Sequence, residues 1–197
     1  MLARMSAAAL AIVLAFVGIV GTYLTNMYLA RRQERLARVN EQLSEFYGPL
    51  LAALSANGQV FDAWRLHVRP DGRSMFDPGG TPPTDAELAE WRLWFTTAFL
   101  PNIQRAREVV VRRADLLIEP SMPPVLLHLC AHVTSSEILV ARWAAGDLTD
   151  QIALIRYPTD GVLEYASSSF ATLKRRQADL LGDPTGRGLF SRARRRG

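Results

Sequence analysis

The stretch Ala7-Ala-Ala-Leu-Ala-Ile-Val-Leu-Ala-Phe-Val-Gly-Ile-Val-Gly-Thr-Tyr-Leu24 decides the architecture of this chain, because it is apolar and carries no charge. The uncharged run is longer still, since no charged residue lies between Arg4 and Arg31. About 20 such residues span the hydrocarbon core of a bilayer as a helix, and only a helix satisfies its own backbone there. The sequence therefore predicts a transmembrane anchor over residues 1–30.

A cleaved signal peptide is the competing interpretation of this segment. Signal peptides have a shorter apolar run and a small-x-small cleavage site. Here the run is long, and Asn26, Met27 and Tyr28 follow it before the first arginines. Tyr23 and Tyr28 also lie where interfacial aromatic residues are expected at the end of a membrane helix. The pattern favours a retained anchor.

Basic residues flank the anchor unequally, with one before it at Arg4 and four shortly after it. The positive-inside rule then predicts a single-pass protein of the cell membrane, with its N-terminus outside and its C-terminal domain in the cytoplasm. Cys130 is the only cysteine, so no internal disulfide can form, which fits a reducing compartment. The four residues expected at the membrane surface are Arg31, Arg32, Arg35 and Arg38.

Small residues form a stripe along the predicted anchor, at steps of three and four positions. Such stripes allow transmembrane helices to approach closely, so they predict self-association. The alternative is that alanine is simply common in the genome of origin. The stripe residues proposed for self-association are Ala11, Ala15, Gly18 and Thr22.

Residues 31–57 are predicted to form a juxtamembrane amphipathic helix, kinked at Pro49 and ended by Gly58. Its apolar residues follow heptad spacing, and Leu36 and Leu43 are the candidates for a self-association seam. The alternative is that this stripe faces the core of the following domain. The spacing is carried by Leu36, Val39, Leu43, Phe46 and Leu50.

The segment Arg38-Val-Asn-Glu-Gln-Leu-Ser-Glu-Phe-Tyr-Gly-Pro-Leu-Leu51 follows the anchor directly. It resembles a juxtamembrane NEQLxxFYGPL-like segment of uncharacterised bacterial single-pass membrane proteins with helical cytoplasmic regions. The resemblance covers these 14 residues plus the anchor. It implies the same topology for this chain and no particular chemistry.

Residues 58–182 are predicted to form a helical bundle, because no segment sustains the period-two alternation of a strand. A capping box at Thr84–Glu87 marks one helix start. We expect a loop over 69–84, helices over 102–118 and 160–181, and a short helix over 148–155. Leu126, Leu129, Val133 and Val140 are predicted to share one face of a helix that ends at Gly146. The predicted fold is all-α, with five or six cytoplasmic helices after the anchor.

His128 and His132 stand four residues apart on a predicted helix, a spacing that suits two metal ligands. Leu129 occupies the position where a zinc peptidase helix needs Glu. Glu137 or a distant aspartate is the only source of a third ligand. The alternative is a pair of polar residues flanking a core helix, and it is the interpretation we adopt, without a cofactor.

The C-terminal residues 183–197 are predicted to form a basic, disordered tail. The chain carries a net charge of +4, but residues 39–186 are acidic overall, and the tail from Arg187 has five arginines and no acidic residue. Anionic lipid headgroups attract such segments, and nucleic-acid phosphates are the less favoured partner. The tail residues expected at the membrane surface are Arg192, Arg194, Arg195 and Arg196.

These patterns predict a membrane-anchored, non-enzymatic helical interaction module, acting as a scaffold, a sensor partner or a defence or stress component. Its expected partners are the lipid bilayer, a second copy of the chain and a protein of unknown identity. One alternative is a metal-dependent enzyme that uses His128 and His132. Another is a protein that tethers nucleic acid through its arginine-rich tail.

Overall fold

The computed structural model describes residues 7–71, 73–76, 79–159 and 161–182, with side chains from Ile12 onward. Every regular element in these residues is helical, which confirms the all-α prediction. The expected five or six helices after the anchor are not found, because neighbouring segments merge and the described residues form four continuous helices. The first consists of α1 (Ala7–Glu41), a π-helical turn (Gln42–Tyr47) and α2 (Gly48–Val68), and the second of α3 (Asp85–Trp94), a second π-helical turn (Phe95–Phe99) and α4 (Leu100–Arg112). A separate 3₁₀ turn (Ala114–Leu116) follows, and the last two helices are α5 (Pro124–Ala144) and α6 (Gly161–Leu181).

Two helices are long and apolar enough to cross a membrane. The first is the helix that starts in α1, whose most apolar window has a mean hydropathy of 1.7 and is wholly exposed. The second is α5, with a mean hydropathy of 1.4 and 33% of its window buried in the protein. An N-terminal signal sequence or the core helix of a soluble protein also meets this criterion of length and composition.

Two prolines interrupt helices without ending them. Proline lacks an N–H and its ring clashes with the carbonyl four residues earlier. Pro49 and Pro101 each follow a π-helical turn, in which Gly48 N–H donates to Leu43 O and Leu100 N–H donates to Phe95 O. The kink expected at Pro49 is therefore a widened turn. It requires glycine, since a Cβ on Gly48 would lie 2.5 Å from the Leu43 oxygen.

The prediction that Gly58 ends the juxtamembrane helix is wrong, because α2 continues through it to Val68. Glycine in a helix costs only about 1 kcal/mol relative to alanine. Leu54 and Trp64 are buried on either side of Gly58, and their burial holds the helix together. Residues 59–68 form the last part of α2.

Three other predicted details also differ. The helix expected over 102–118 ends at Arg112, and the 3₁₀ turn that follows buries Leu116. Residues 148–155 are irregular. On α5 the residues buried near the C-terminal end are Leu139 and Trp143, while Val140 is half-buried. The capping box is confirmed: Thr84 Oγ1 accepts from Glu87 N at 3.2 Å, and Glu87 accepts from Thr84 N at 2.7 Å.

The chain divides into two compact units. The first comprises residues 1–40 and 175–197, and the second, here called the body, comprises residues 41–174. In the first unit, Arg32 Nε donates to the Leu180 carbonyl at 2.7 Å near the end of α6. Gln177 Nε2 donates to Asn40 Oδ1 at 2.6 Å in the same unit. Arg32 thus binds a carbonyl at a helix C-terminus, where a cation is favourable.

In the body, α4 packs against both α2 and α5. The segment that resembles a bacterial juxtamembrane motif supplies polar contacts to this core. Gln42 Nε2 donates to Leu116 O at 2.9 Å, and the Tyr47 hydroxyl accepts from Ile118 N at 3.0 Å. Burial raises the pKa of Tyr47. These contacts fix the connection between α4 and α5, which gives the polar residues of the motif a role in the fold.

Candidate interaction surface

Helix α5 is apolar on two opposite faces. Its inner residues Leu126, Leu129 and Val133 are completely buried. On its outer side Leu127 is 56% exposed and Ile138 is 60% exposed. A helix that is apolar all round is normally buried all round, so the outer face of α5 lacks a cover within the described residues.

The segment 147–157, which follows α5, has no helical turn but is tightly held. Two indole N–H groups donate to consecutive carbonyls: Trp143 Nε1 to Asp150 O at 2.8 Å, and Trp91 Nε1 to Gln151 O at 2.8 Å. Buried tryptophan usually places its N–H on such a partner. These bonds satisfy backbone groups that a helix would otherwise pair, so the segment needs no regular structure.

Ile155 attaches the far end of the segment to α5 through both of its backbone groups. Its N–H donates to Ser135 Oγ at 3.1 Å, and its carbonyl oxygen lies 2.6 Å from His132 Nδ1. Because a carbonyl only accepts, Nδ1 carries the imidazole proton. The ring of Tyr157 packs edge-on against His132, with centroids 5.4 Å apart. The segment is therefore fixed at its middle and at its end.

Ion pairs hold the near end. Arg142 contacts Asp147 at 2.7 Å and Asp150 at 2.6 Å. The hydroxyl and N–H of Thr149, with Arg142, lower the pKa of Asp147 to about 2. Arg142 thus neutralises part of the negative charge of the two aspartates at this edge.

A groove lies between the outer face of α5 and this segment, with a volume of about 1070 Å³ including its open mouth. We call it the α5 groove. Its lining combines small residues with larger apolar ones. Leu154, on the segment side, is 94% exposed. Among its lining residues are Ala131, Thr134, Ile138, Leu139, Ile152 and Leu154.

The predicted histidine pair is divided between two environments. His132 is buried, its Nε2 lies 3.4 Å from Ser136 Oγ, and burial lowers its pKa. His128 is exposed. Glu137, the suggested third ligand, is bound by Arg107 at 2.7 Å and by Gln104 at 2.8 Å. Within the described residues no group of three His, Cys, Asp or Glu is placed to hold a metal ion.

The residues predicted for the membrane surface and for self-association have mixed positions. Arg31 and Arg35 are exposed, whereas Arg192, Arg194, Arg195 and Arg196 lie outside the described residues. Ala15, Gly18 and Thr22 are exposed, and the side chain of Ala11 is not described. Leu36 is half-buried, and Leu43 is 8% exposed and belongs to the protein's own core.

Sequence reasoning missed Leu154, because it assigned 148–155 to a helix with the usual buried side. The signal that could have found it is the run Ile152-Ala-Leu-Ile155, which is too short for a helix and lies between Asp150 and Tyr157-Pro158. An apolar run in a fixed, irregular segment cannot bury every side chain.

Comparison with protein-family models, with curated protein sequences and with solved structures finds no match to this chain.

Proposed function

We propose that this chain is a membrane-anchored helical interaction module whose body docks a second copy of itself through the α5 groove. The observation that carries the proposal is Leu154, which is 94% exposed on a segment held by hydrogen bonds on both sides of it. A leucine held in water by a fixed backbone has no role in the fold of the monomer. Exposed apolar residues beside a groove are typical of a protein interaction site.

A second copy is the partner that best fits the shape of this surface. The surface carries both an exposed side chain, Leu154, and a groove whose lining includes the small residues Ala131 and Thr134. In a two-fold dimer the same patch meets itself, so Leu154 of each copy can enter the groove of the other copy. At the edge Arg142 pairs with both Asp147 and Asp150, so the three side chains leave only one net negative charge on each copy.

The anchor supports the same proposal. A shared membrane confines two copies and raises their effective concentration, so a modest interface suffices. A Cβ atom added to Gly18 or to Gly21 would have no neighbour within 4 Å, so packing within the chain does not require glycine at these positions. Thr22 donates to the Gly18 carbonyl at 2.9 Å, which satisfies its hydroxyl inside the helix. This leaves a smooth face for a second anchor helix.

In this proposal α1 crosses the bilayer with the body on the cytoplasmic side, as the arginines after the anchor favour. The exposed Arg31 and Arg35 lie at the headgroup level, and the basic tail attracts anionic lipid. The interaction module then acts as a scaffold or a sensor partner at the inner surface of the cell membrane.

The experiment measures energy transfer between donor- and acceptor-labelled full-length copies reconstituted in the same lipid bilayer. Leu154→Glu should weaken association at least about 10-fold, because a carboxylate must be desolvated in the groove. The matched control is Leu93→Glu, since Leu93 is also exposed, at 59%, but lies on α3. Equal transfer in both variants, or no transfer in the unaltered protein, would overturn the proposal.

A further inference from the structure

A second cavity lies in the body, between the C-terminal half of α2, α3 and the described residues of the 69–84 connection. Its volume is about 340 Å³ including its mouth. Ring centroids of neighbouring aromatic walls are 5.2 Å apart for Trp64 and Trp91 and 5.3 Å apart for Phe76 and Trp91. We call it the aromatic cleft, and its walls are formed mainly by Phe61, Trp64, Met75, Phe76 and Trp91.

Trp64 in this cleft has an unused hydrogen-bond donor. Its side chain is 5% exposed, and its buried Nε1 atom has no hydrogen-bond partner among the described residues. Trp91 and Trp143 both place their indole N–H on a carbonyl. A buried donor without an acceptor is costly, so the Trp64 N–H calls for an oxygen from outside the described residues.

The charged residues that line the aromatic cleft are all arginines: Arg65, Arg69 and Arg73. Arg69 is bound by Glu87 at 3.0 Å, and Arg65 pairs with Asp62 at 3.5 Å. No described residue pairs with the guanidinium of Arg73, and only the backbone N–H of Arg73 donates to Asp71. The cleft therefore combines apolar aromatic walls with an excess of positive charge at its rim.

We propose that the aromatic cleft binds a small amphipathic carboxylate, with its apolar group against the aromatic walls and its carboxylate at Arg73 and the Trp64 N–H. Small-molecule sites have this composition: mostly apolar and aromatic walls with a few polar groups that fix orientation. Guanidinium groups bind carboxylates through charge-assisted hydrogen bonds. A cationic ligand would meet three arginines, and a neutral one would leave the charge at Arg73 unused. The size of the cleft restricts the apolar part to about one ring or a short branched chain.

The test titrates the full-length protein in lipid nanodiscs with three probes of one shape, by calorimetry against empty nanodiscs. The probes are phenylacetate, the neutral phenylacetamide and the cationic phenethylamine. Phenylacetate should bind saturably, phenylacetamide at least about 10-fold more weakly because it lacks the charge-assisted bond, and phenethylamine not measurably. Absence of saturable binding by phenylacetate, or equal binding of the acid and the amide, would overturn the proposal.

Two variants locate the site. Arg73→Gln should weaken phenylacetate about 10-fold, and Trp64→Phe, which keeps a ring but removes the N–H, about 2- to 10-fold. Arg156→Gln is the matched control, since Arg156 is an exposed arginine that does not line the cleft. Arg73 lies on an irregular segment, so its variant tests binding even if Trp64→Phe perturbs the core. Unchanged affinity in Arg73→Gln, or an equal loss in Arg156→Gln, would contradict the site. Neither result bears on association through the α5 groove.

Discussion

The body has two long irregular segments, and they treat their apolar side chains in opposite ways. The 69–84 connection turns Met75 inward, where it is 7% exposed, and lays Phe76 against Trp91. The 147–157 segment holds Leu154 outward, 94% exposed. Both segments are fixed by polar contacts, Arg69 to Glu87 in the first and His132 to Ile155 in the second. The difference shows that rigidity alone does not reveal a role. Met75, turned inward, contributes to the core, whereas Leu154, held outward on a fixed backbone, is available to the partner that we propose.

The largest expected effect comes from Trp91, because it contacts both segments. Its ring packs on Phe76, and its N–H donates to Gln151 O. Trp91→Ala should lower the free energy of unfolding of the body by about 3–5 kcal/mol. The measurement is urea unfolding of the full-length protein, followed by helical circular dichroism. Trp91→Phe is the control: it keeps a ring, loses mainly the bond to Gln151, and should cost about 1 kcal/mol. If Trp91→Ala lowered the free energy of unfolding by less than the value expected for Trp91→Phe, the segments would not depend on this residue.

The next effect compares the two apolar side chains directly. Met75→Ala should lower the free energy of unfolding by about 2 kcal/mol, because it removes a buried side chain. Leu154→Ala should change it by less than about 0.5 kcal/mol, since the side chain is in water in the monomer. Urea unfolding in detergent, at a protein concentration at which the native mass is that of a monomer, measures both. Equal costs for the two variants would break the distinction between the segments.

A smaller effect concerns the anchoring of the 69–84 connection at the capping box. Thr84→Ala removes the hydroxyl that accepts from Glu87 N, and should cost about 1 kcal/mol in urea unfolding. The bond from Thr84 N, with Arg69, lowers the pKa of Glu87 to about 2. The stabilising contribution of ionised Glu87 is therefore present above the ordinary pKa of 4.5 and is lost as pH falls toward about 2. A Thr84→Ala protein whose stability matched the unaltered one at neutral pH would contradict the assignment.

The smallest effect is a pH dependence at the 147–157 segment. Burial lowers the pKa of His132 below its ordinary value of 6.5. The unfolded chain then binds the proton first, so the stability contributed by neutral His132 is present above about pH 6.5 and is lost as pH falls below it. The midpoint temperature of thermal unfolding should decrease as the pH is lowered from about 7.5 to about 5.5. The slope should shrink in His132→Gln and persist in His128→Gln, where the exposed ring is replaced. The same slope in both variants would rule out His132 as its source.

Much of the helical architecture was predictable, because the signals were local. The uncharged run before Arg31 predicts a long apolar helix, and the capping box at Thr84 fixes one helix start. The end of α5 at Gly146, where φ is +85°, follows from the freedom of glycine in that region. Gly58 misled because a local penalty of about 1 kcal/mol is smaller than the gain from burying Leu54 and Trp64.

The proposed interaction surface was not predictable from the sequence, because it depends on contacts between residues that are far apart along the chain. The irregular course of the 147–157 segment depends on Trp91, about 60 residues earlier, which donates to Gln151. Periodicity contains no information about such donors, so it predicts a helix over residues 148–155. The histidine pair shows the same limit: its spacing suits a metal, but only the folded body shows that His132 binds the Ile155 carbonyl. The resemblance at Arg38–Leu51 indicated a distinctive segment, and the roles of Gln42 and Tyr47 in the core emerged only from the folded body.

The central claim, that Leu154 of one copy enters the α5 groove of another, is tested most directly by disulfide formation between two different single-cysteine chains. Cys130 is first replaced by serine, since it is the only native cysteine. Chains carrying Thr134→Cys and chains carrying Leu154→Cys are mixed in one bilayer and mildly oxidised. The account predicts cross-linked dimers in the mixture, and far fewer when either chain is oxidised alone or when Leu93→Cys replaces Thr134→Cys. Equal cross-linking in the Leu93→Cys mixture, or none in the Thr134→Cys mixture, would contradict the account.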